Sequence, residues 1–228
     1  MWTFLGKFVL PAVPGLVVKG VSYLRKGKGR KEDKRRAAIV EQSEEFKVDP
    51  KQEVDQIEII PVEDLPRHKT RRWGRRGLNA IKRIVIHHTA TDYKHSSWRG
   101  IANYVTTPSP DNHLSKEGAP YIPYHFGVGI DGVFQFNDVQ CITWGARGYN
   151  IESIHVSVLG DFTTAGSHIG KNNLQPVHRS QLIQLLKALK QDFPEAEITT
   201  HKVLGKWNCP GDELVALVAQ FNEGVFND

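Results

Sequence analysis

Cysteine is nearly missing from this chain of 228 residues, which has only Cys141 and Cys209. Two cysteines make no disulfide framework, so a small stapled secreted scaffold is excluded. Such a chain can fold in a reducing cytoplasm even if it acts elsewhere. The neighbours Val139 and Ile142 point to plain burial for Cys141. A long clean hydrophobic run is missing too. Met1 to Tyr23 is rich in apolar residues, but Lys7 and Lys19 interrupt it, and Pro11 and Pro14 would kink a helix. A membrane span needs about 20 mostly apolar residues, and this segment meets that poorly. Trp2-Thr3-Phe4 ahead of the first lysine also fits badly with the basic start of a secretory signal. There is no internal repeat and no H-E-x-x-H zinc signature. No aromatic-interleaved nucleic-acid motif accompanies the basic runs, where Trp73 is the one aromatic residue, so no specific nucleic-acid partner is expected.

What charge there is divides the chain. Residues 1–80 carry a balance of +7 and the remainder −2, within a total of +5. The basic character is densest at Arg25 to Lys31 and at Arg71 to Arg76, and such runs are usually solvated. Three parts follow. Residues 1–30 read as an apolar and basic segment suited to docking on a membrane or a larger assembly. Residues 31–66 read as a charged linker with one extended piece, Ile57 to Ile60. Residues 67–228 read as the working domain.

Two groups in that domain carry chemistry. Ile84-Val85-Ile86 is a β-branched run, so His87 falls at the end of a buried strand. His201 follows a second short strand candidate, Glu197 to Thr200, and Cys209 returns on a loop closed by Pro210-Gly211. Two imidazoles and a thiolate form a borderline-soft donor set suited to zinc. Three protein ligands leave a fourth position open, as a catalytic zinc requires. The bland alternative stands beside it, because a lone cysteine often acts as a small buried hydrophobe.

The order of five pieces adds a resemblance. They are His87-His88-Thr89-Ala90-Thr91 after Ile84-Val85-Ile86, then Tyr124-His125-Phe126-Gly127-Val128, then Ile130-Asp131-Gly132-Val133. Gly148-Tyr149-Asn150 with Ser153-Ile154 follows, and His201 to Gly211 comes last. Over residues 80 to 225 the chain resembles type 2 N-acetylmuramoyl-L-alanine amidases, the family of phage lysis amidases and peptidoglycan recognition proteins. The resemblance implies a zinc ion on His87, His201 and Cys209, with Tyr124 beside it. His88 is not implied as a ligand. It also implies peptidoglycan as substrate and the amide between muramic acid and L-alanine as the bond cut. The bacterial envelope or periplasm would be the site of action. Tyr124 would orient water or stabilise an oxyanion, or else pack as a hairpin aromatic.

Two departures stand out. Many phage members carry a catalytic lysine two residues before the cysteine, where this chain has Trp207; Lys206 lies one residue earlier and is either its substitute or a surface charge. His155 stands where small residues are usual, and reads as a packed or solvent-facing strand histidine. Trp144, Arg147 and Asn150 are candidates for lining a substrate groove. The rival readings are a non-catalytic peptidoglycan binder and an assembly protein of a virion or tail. A retained Cys209 favours the enzyme. A wall-degrading enzyme carried in a phage particle would reconcile dock and blade.

The pattern of elements is interleaved. Ser97 caps a helix over Trp98 to Val105, and Thr106 to Ile122 is a loop. Tyr124 to Phe136 reads as a hairpin turning at Asp131-Gly132. Leu182, Leu185, Leu186 and Leu189 recur at helical spacing within Arg179 to Asp192, and Leu214 to Phe221 forms a last helix. The expected fold is α/β, a central mixed β-sheet flanked by helices, with a non-globular N-terminal extension.

Overall fold

The computed structural model describes residues 57–163, 172–206 and 208–226. The segment 1–30 read as a dock, and most of the linker, lie outside the described residues. No helix among the described residues is long and apolar enough to cross a membrane.

The strands are β1 (Ile59–Pro61), β2 (Gly74–Arg75), β3 (Arg83–His88), β4 (Phe126–Gly129), β5 (Gly132–Gln135), β6 (Cys141–Ile142), β7 (Ser153–Val158) and β8 (Glu197–Thr200). The helices are α1 (Trp98–Thr106), α2 (Pro176–Asp192) and α3 (Asp212–Asn222). Six strands form one mixed sheet in the order β1-β5-β4-β7-β3-β8, and β2 pairs with β6 separately. Only the β4–β5 hairpin is antiparallel within the six. Its two-residue turn is Ile130–Asp131, one residue earlier than expected, since Gly129 pairs with Gly132. Gly132 sits at φ 142°, a backbone region that a side chain rarely enters.

The two-residue period of the strands sorts the residues. Ile84 and Ile86 of β3, Ile154, Val156 and Val158 of β7, and Ile198 of β8 face one way. They share a core with Leu182, Leu185, Leu186 and Leu189 of α2 and Leu214, Leu217 and Val218 of α3. The opposite face of the same strands carries Val85 and His87, then Ser153, His155 and Ser157, then Thr199. All of these are buried. A second core under α1 joins Trp98 and Ala102 to Tyr121, Ile122, Phe134 and Phe136. The apolar face therefore holds the sheet to α2 and α3, which frees the polar face for a site.

The helices start where local chemistry allows. Ser97 Oγ accepts from Gly100 N at 3.1 Å, capping α1. Pro176 opens α2 at the first position, where its missing N–H costs nothing. The loop after α1 is held by Asn112, whose amide donates to the carbonyls of Tyr104, Val105 and Thr107. Residues 57–66, read from sequence as linker, pack with this unit. β1 pairs with β5, and Ile57 and Ile59 join the core.

Candidate metal centre

The parallel register carries β3 and β8 to the same end of the sheet. Ile86 pairs with Thr200, and His201 N donates to Ile86 O at 3.1 Å. His87 and His201 therefore leave adjacent strands side by side, with ring centroids 4.6 Å apart. The loop from Lys202 to Pro210 brings Cys209 back, and Cys209 N donates to Lys206 O at 3.0 Å. Gly211, at φ 95°, ends the loop so close to the Phe162 backbone that a Cβ there would overlap it. One donor atom each from His87, His201 and Cys209 lie within 4.8 Å of one another.

That spacing fits a metal. Zinc bonds of about 2.0–2.1 Å to nitrogen and 2.3 Å to sulfur give tetrahedral edges of roughly 3.3–3.7 Å. Cys209 Sγ and His87 Nδ1 stand 3.8 Å apart. His87 and Cys209 are buried, whereas His201 is partly exposed, so the group opens to solvent on the His201 side.

The electrostatics agree with a cation site. Burial, reinforced by His201 and His88, holds the His87 imidazole well below its ordinary range. His201 is pulled to about 4 by burial and then by Lys206. Both rings are thus neutral, the form that ligates. Burial pushes the Cys209 thiol up to about 12, with the His88 N–H and Lys206 pulling the other way. A divalent cation reverses such a shift, because a coordinating thiol loses its proton outright.

Tyr124 lies against this group, its ring 5.3 Å from His87. Its phenol is held above the ordinary tyrosine range by burial first and by Cys209 second, and Ser157 nearby opposes this. Lys206 is exposed, yet its charge reaches His201, Cys209 and His113. Trp207 lies outside the described residues. Trp144 packs edge-on against Trp73 at 5.2 Å, under the Arg71 guanidinium at 5.1 Å. Arg147 is exposed. Asn150 spends its side-chain oxygen closing its own turn, accepting from Ala146 N at 2.8 Å.

The contacts of several residues here escaped the sequence reading. His155, read as a packed or solvent-facing strand histidine, is fully buried, and its Nδ1 meets His87 Nε2 at 3.1 Å. His125 Nδ1 accepts from His155 N at 2.9 Å, which puts its proton on Nε2, toward Cys141 O at 2.9 Å. Arg76 belongs to a run read as solvated, but it is 8 % exposed. Its guanidinium donates to Val139 O and Asn150 O at 2.7 Å and to Ile151 O at 2.9 Å. Burial lowers it to about 10, against the pull of Cys141 and Asp138. Cys141, expected to be buried, is half-buried in β6. The strand alternation could have placed His155 on the polar face. Nothing local distinguishes Arg76 from Arg75.

The sequence profile of the N-acetylmuramoyl-L-alanine amidase family matches residues 77–212, well over half of the chain. The chain belongs to this family. Every residue of the donor group falls inside the matched amidase region. Solved structures agree on the fold. The phage Ph2119 endolysin from Thermus scotoductus MAT2119 is 26% identical, with a TM-score of 0.51 over 65% of this chain and 88% of that one. The endolysin amidase LysCS from Clostridium intestinale has a TM-score of 0.51 at 20% identity, over 72% of this chain and 95% of that one. Bumblebee PGRP-SA has a TM-score of 0.55 at 18% identity, over 72% and 94%. At these lower identities the amidase and recognition-protein neighbours speak for the fold alone. No curated protein matches by sequence.

Proposed function

We propose that this amidase-family chain is a zinc-dependent peptidoglycan hydrolase that cuts the amide between N-acetylmuramic acid and L-alanine. The observation that carries this is the convergence of His87, His201 and Cys209, with donor atoms within 4.8 Å and an open side. These residues would hold the ion. Zinc bound there supplies Lewis acidity toward an amide carbonyl and lowers the pKa of water toward ~7.

The chain's own residues supply the rest. The Tyr124 phenol, beside His87, donates a hydrogen bond to the oxygen on which charge develops, a contact worth about 3 kcal/mol. Lys206 places a positive charge by the open side and favours the same developing anion. On this reading Trp144 and Arg147 line one wall of the substrate groove.

A recognition protein that binds without cutting is the second reading, since such proteins share the fold. Cys209 favours the enzyme, because it completes a donor set that mere binding of glycan does not need. The bacterial cell wall is the place of action on this reading. Muropeptide analysis decides between the two. Hydrolysis releases stem peptides with a new L-alanine amino terminus and leaves the glycan uncut. New reducing ends without new amino groups would indicate a glycosidase, and intact sacculi would indicate a binder.

A further inference from the structure

We propose that His155 is the positioning residue for the metal centre: its Nδ1 accepts a hydrogen bond from the Nε2–H of His87 and so turns the His87 Nδ1 lone pair toward Cys209 and His201. The proposal rests on reading His87, His201 and Cys209 as the metal ligands.

Geometry sets the choice. His87 Nδ1 faces Cys209 Sγ at 3.8 Å, and His87 Nε2 faces His155 Nδ1 at 3.1 Å. A neutral imidazole has one N–H and one lone pair. If His155 Nδ1 carried the proton, His87 Nε2 would accept it. His87 would then point an N–H at the sulfur and could not ligate. If His155 Nδ1 accepts, His87 carries its proton on Nε2 and offers a lone pair to the metal. One hydrogen bond between two buried rings therefore decides whether the site can load.

The surroundings hold His155 in this pose. Its backbone N–H is anchored on His125 Nδ1 at 2.9 Å, and His125 is tied to Cys141 O at 2.9 Å. The His125 and His155 rings stack at 5.8 Å. Gly145 lies against the other side of the ring, and a Cβ there would overlap it. In the loading tautomer the His155 proton sits on Nε2, which meets no hydrogen-bond partner among the described residues. A buried donor left unpaired is costly. A bulky strand histidine with an unpaired nitrogen and a glycine cleared for it is poorly explained by packing. It is accounted for by its bond to His87, since partners beyond the ligands themselves commonly set a ligating histidine's tautomer and basicity.

The test compares His155→Leu with His155→Asn. The two side chains branch alike, but only asparagine places an oxygen where Nδ1 stood. Zinc affinity is measured by chelator competition in the full chain, and thermal melts check folding. His155→Leu should bind zinc about 10- to 100-fold more weakly than wild type. His155→Asn should stay within roughly threefold of wild type, as rescue by the retained acceptor requires. In wild type, nitrogen-15 spectra should show the His87 proton on Nε2, with a coupling across the hydrogen bond to His155 Nδ1. That readout needs no variant and no activity. Equal affinity for wild type and His155→Leu overturns the proposal, and so does a His87 proton on Nδ1 in the zinc-loaded protein. Equal weakening of both variants overturns it as well, because packing would then be the cause. Wild-type protein that takes up no zinc refutes the metal reading, and this inference falls with it.

Discussion

Acid should destabilise this protein through one histidine that takes no part in the proposed chemistry. His178, on α2, is fully buried between Tyr93 and Phe162, with ring centroids at 5.3 and 5.9 Å. Neither of its ring nitrogens has a hydrogen-bond partner among the described residues. Burial alone lowers it from 6.5 to about 4. The unfolded chain therefore binds this proton more readily than the folded one. The stability due to neutral His178 is whole above pH 6.5 and falls as the pH drops toward about 4. At pH 4.5 the loss works out to about 2.5 kcal/mol, at 1.36 kcal/mol per pKa unit.

His178→Phe keeps the ring contacts and removes the titration. Urea unfolding of wild type and variant at pH 7.5 and pH 4.5, with chelator present to remove metal linkage, isolates the effect. Other buried histidines shift both proteins alike, so the difference between them reports on His178. The variant's advantage should grow by about 2–3 kcal/mol between the two pH values. It should already be slightly positive at pH 7.5, because two unpaired buried nitrogens are gone. An advantage that does not change with pH would show that His178 finds water or a partner in solution.

Three further outcomes are expected. Purified protein should hold about one zinc ion per chain by metal analysis, and His87→Ala or Cys209→Ser should remove most of it; full occupancy in either variant would refute the ligand assignment. Tyr124→Phe should keep zinc and fold but lose roughly 10²-fold in turnover on muropeptides, and unchanged turnover would make it a packing residue. A chain beginning at residue 57 should cut soluble muropeptides like the full chain but lose attachment to vesicles or a partner. One beginning at residue 67 should lose about 3–6 kcal/mol of stability to denaturant, because it discards Ile57 and Ile59 from the core.

Local pattern made much of the architecture legible. The Ile84 to Ile86 run and the leucine spacing of α2 each reflect a short-range rule and lie where that rule puts them, and the hairpin turn falls one residue before the Asp131-Gly132 that marks it. The donor residues could be nominated because strand ends and a closing Pro-Gly bound them in sequence. The layer behind them could not. His155 meets His87 only because β7 lies parallel to β3 in one particular register. Arg76 is buried only because three carbonyls from two distant loops converge on it. Charge-run reasoning treats Arg75 and Arg76 alike, yet one bonds Asp138 at the surface and the other is inside. The strand at Ile59 likewise depends on a partner more than 70 residues away, Val133.

The two faces of the sheet divide the work, and that division makes the role of His155 separable from stability. Ile84, Ile86, Ile154, Val156 and Ile198 bind the sheet to α2 and α3 within the larger hydrophobic core. The opposite face buries His87, His155 and Ser157, which contribute little to that core. A protein selected for stability alone would fill this face with apolar side chains. Leucine at 155 would remove one unpaired buried nitrogen but leave His87 Nε2 without its partner, so two desolvation costs of about 1–3 kcal/mol each nearly cancel. The variant expected to load zinc worse should therefore stay close to wild type in stability without metal. A packing histidine predicts the reverse pairing, with lower stability of the metal-free chain and unaltered affinity. A different measurement falls under each account, so a single substitution separates a residue kept for positioning from one kept for the fold.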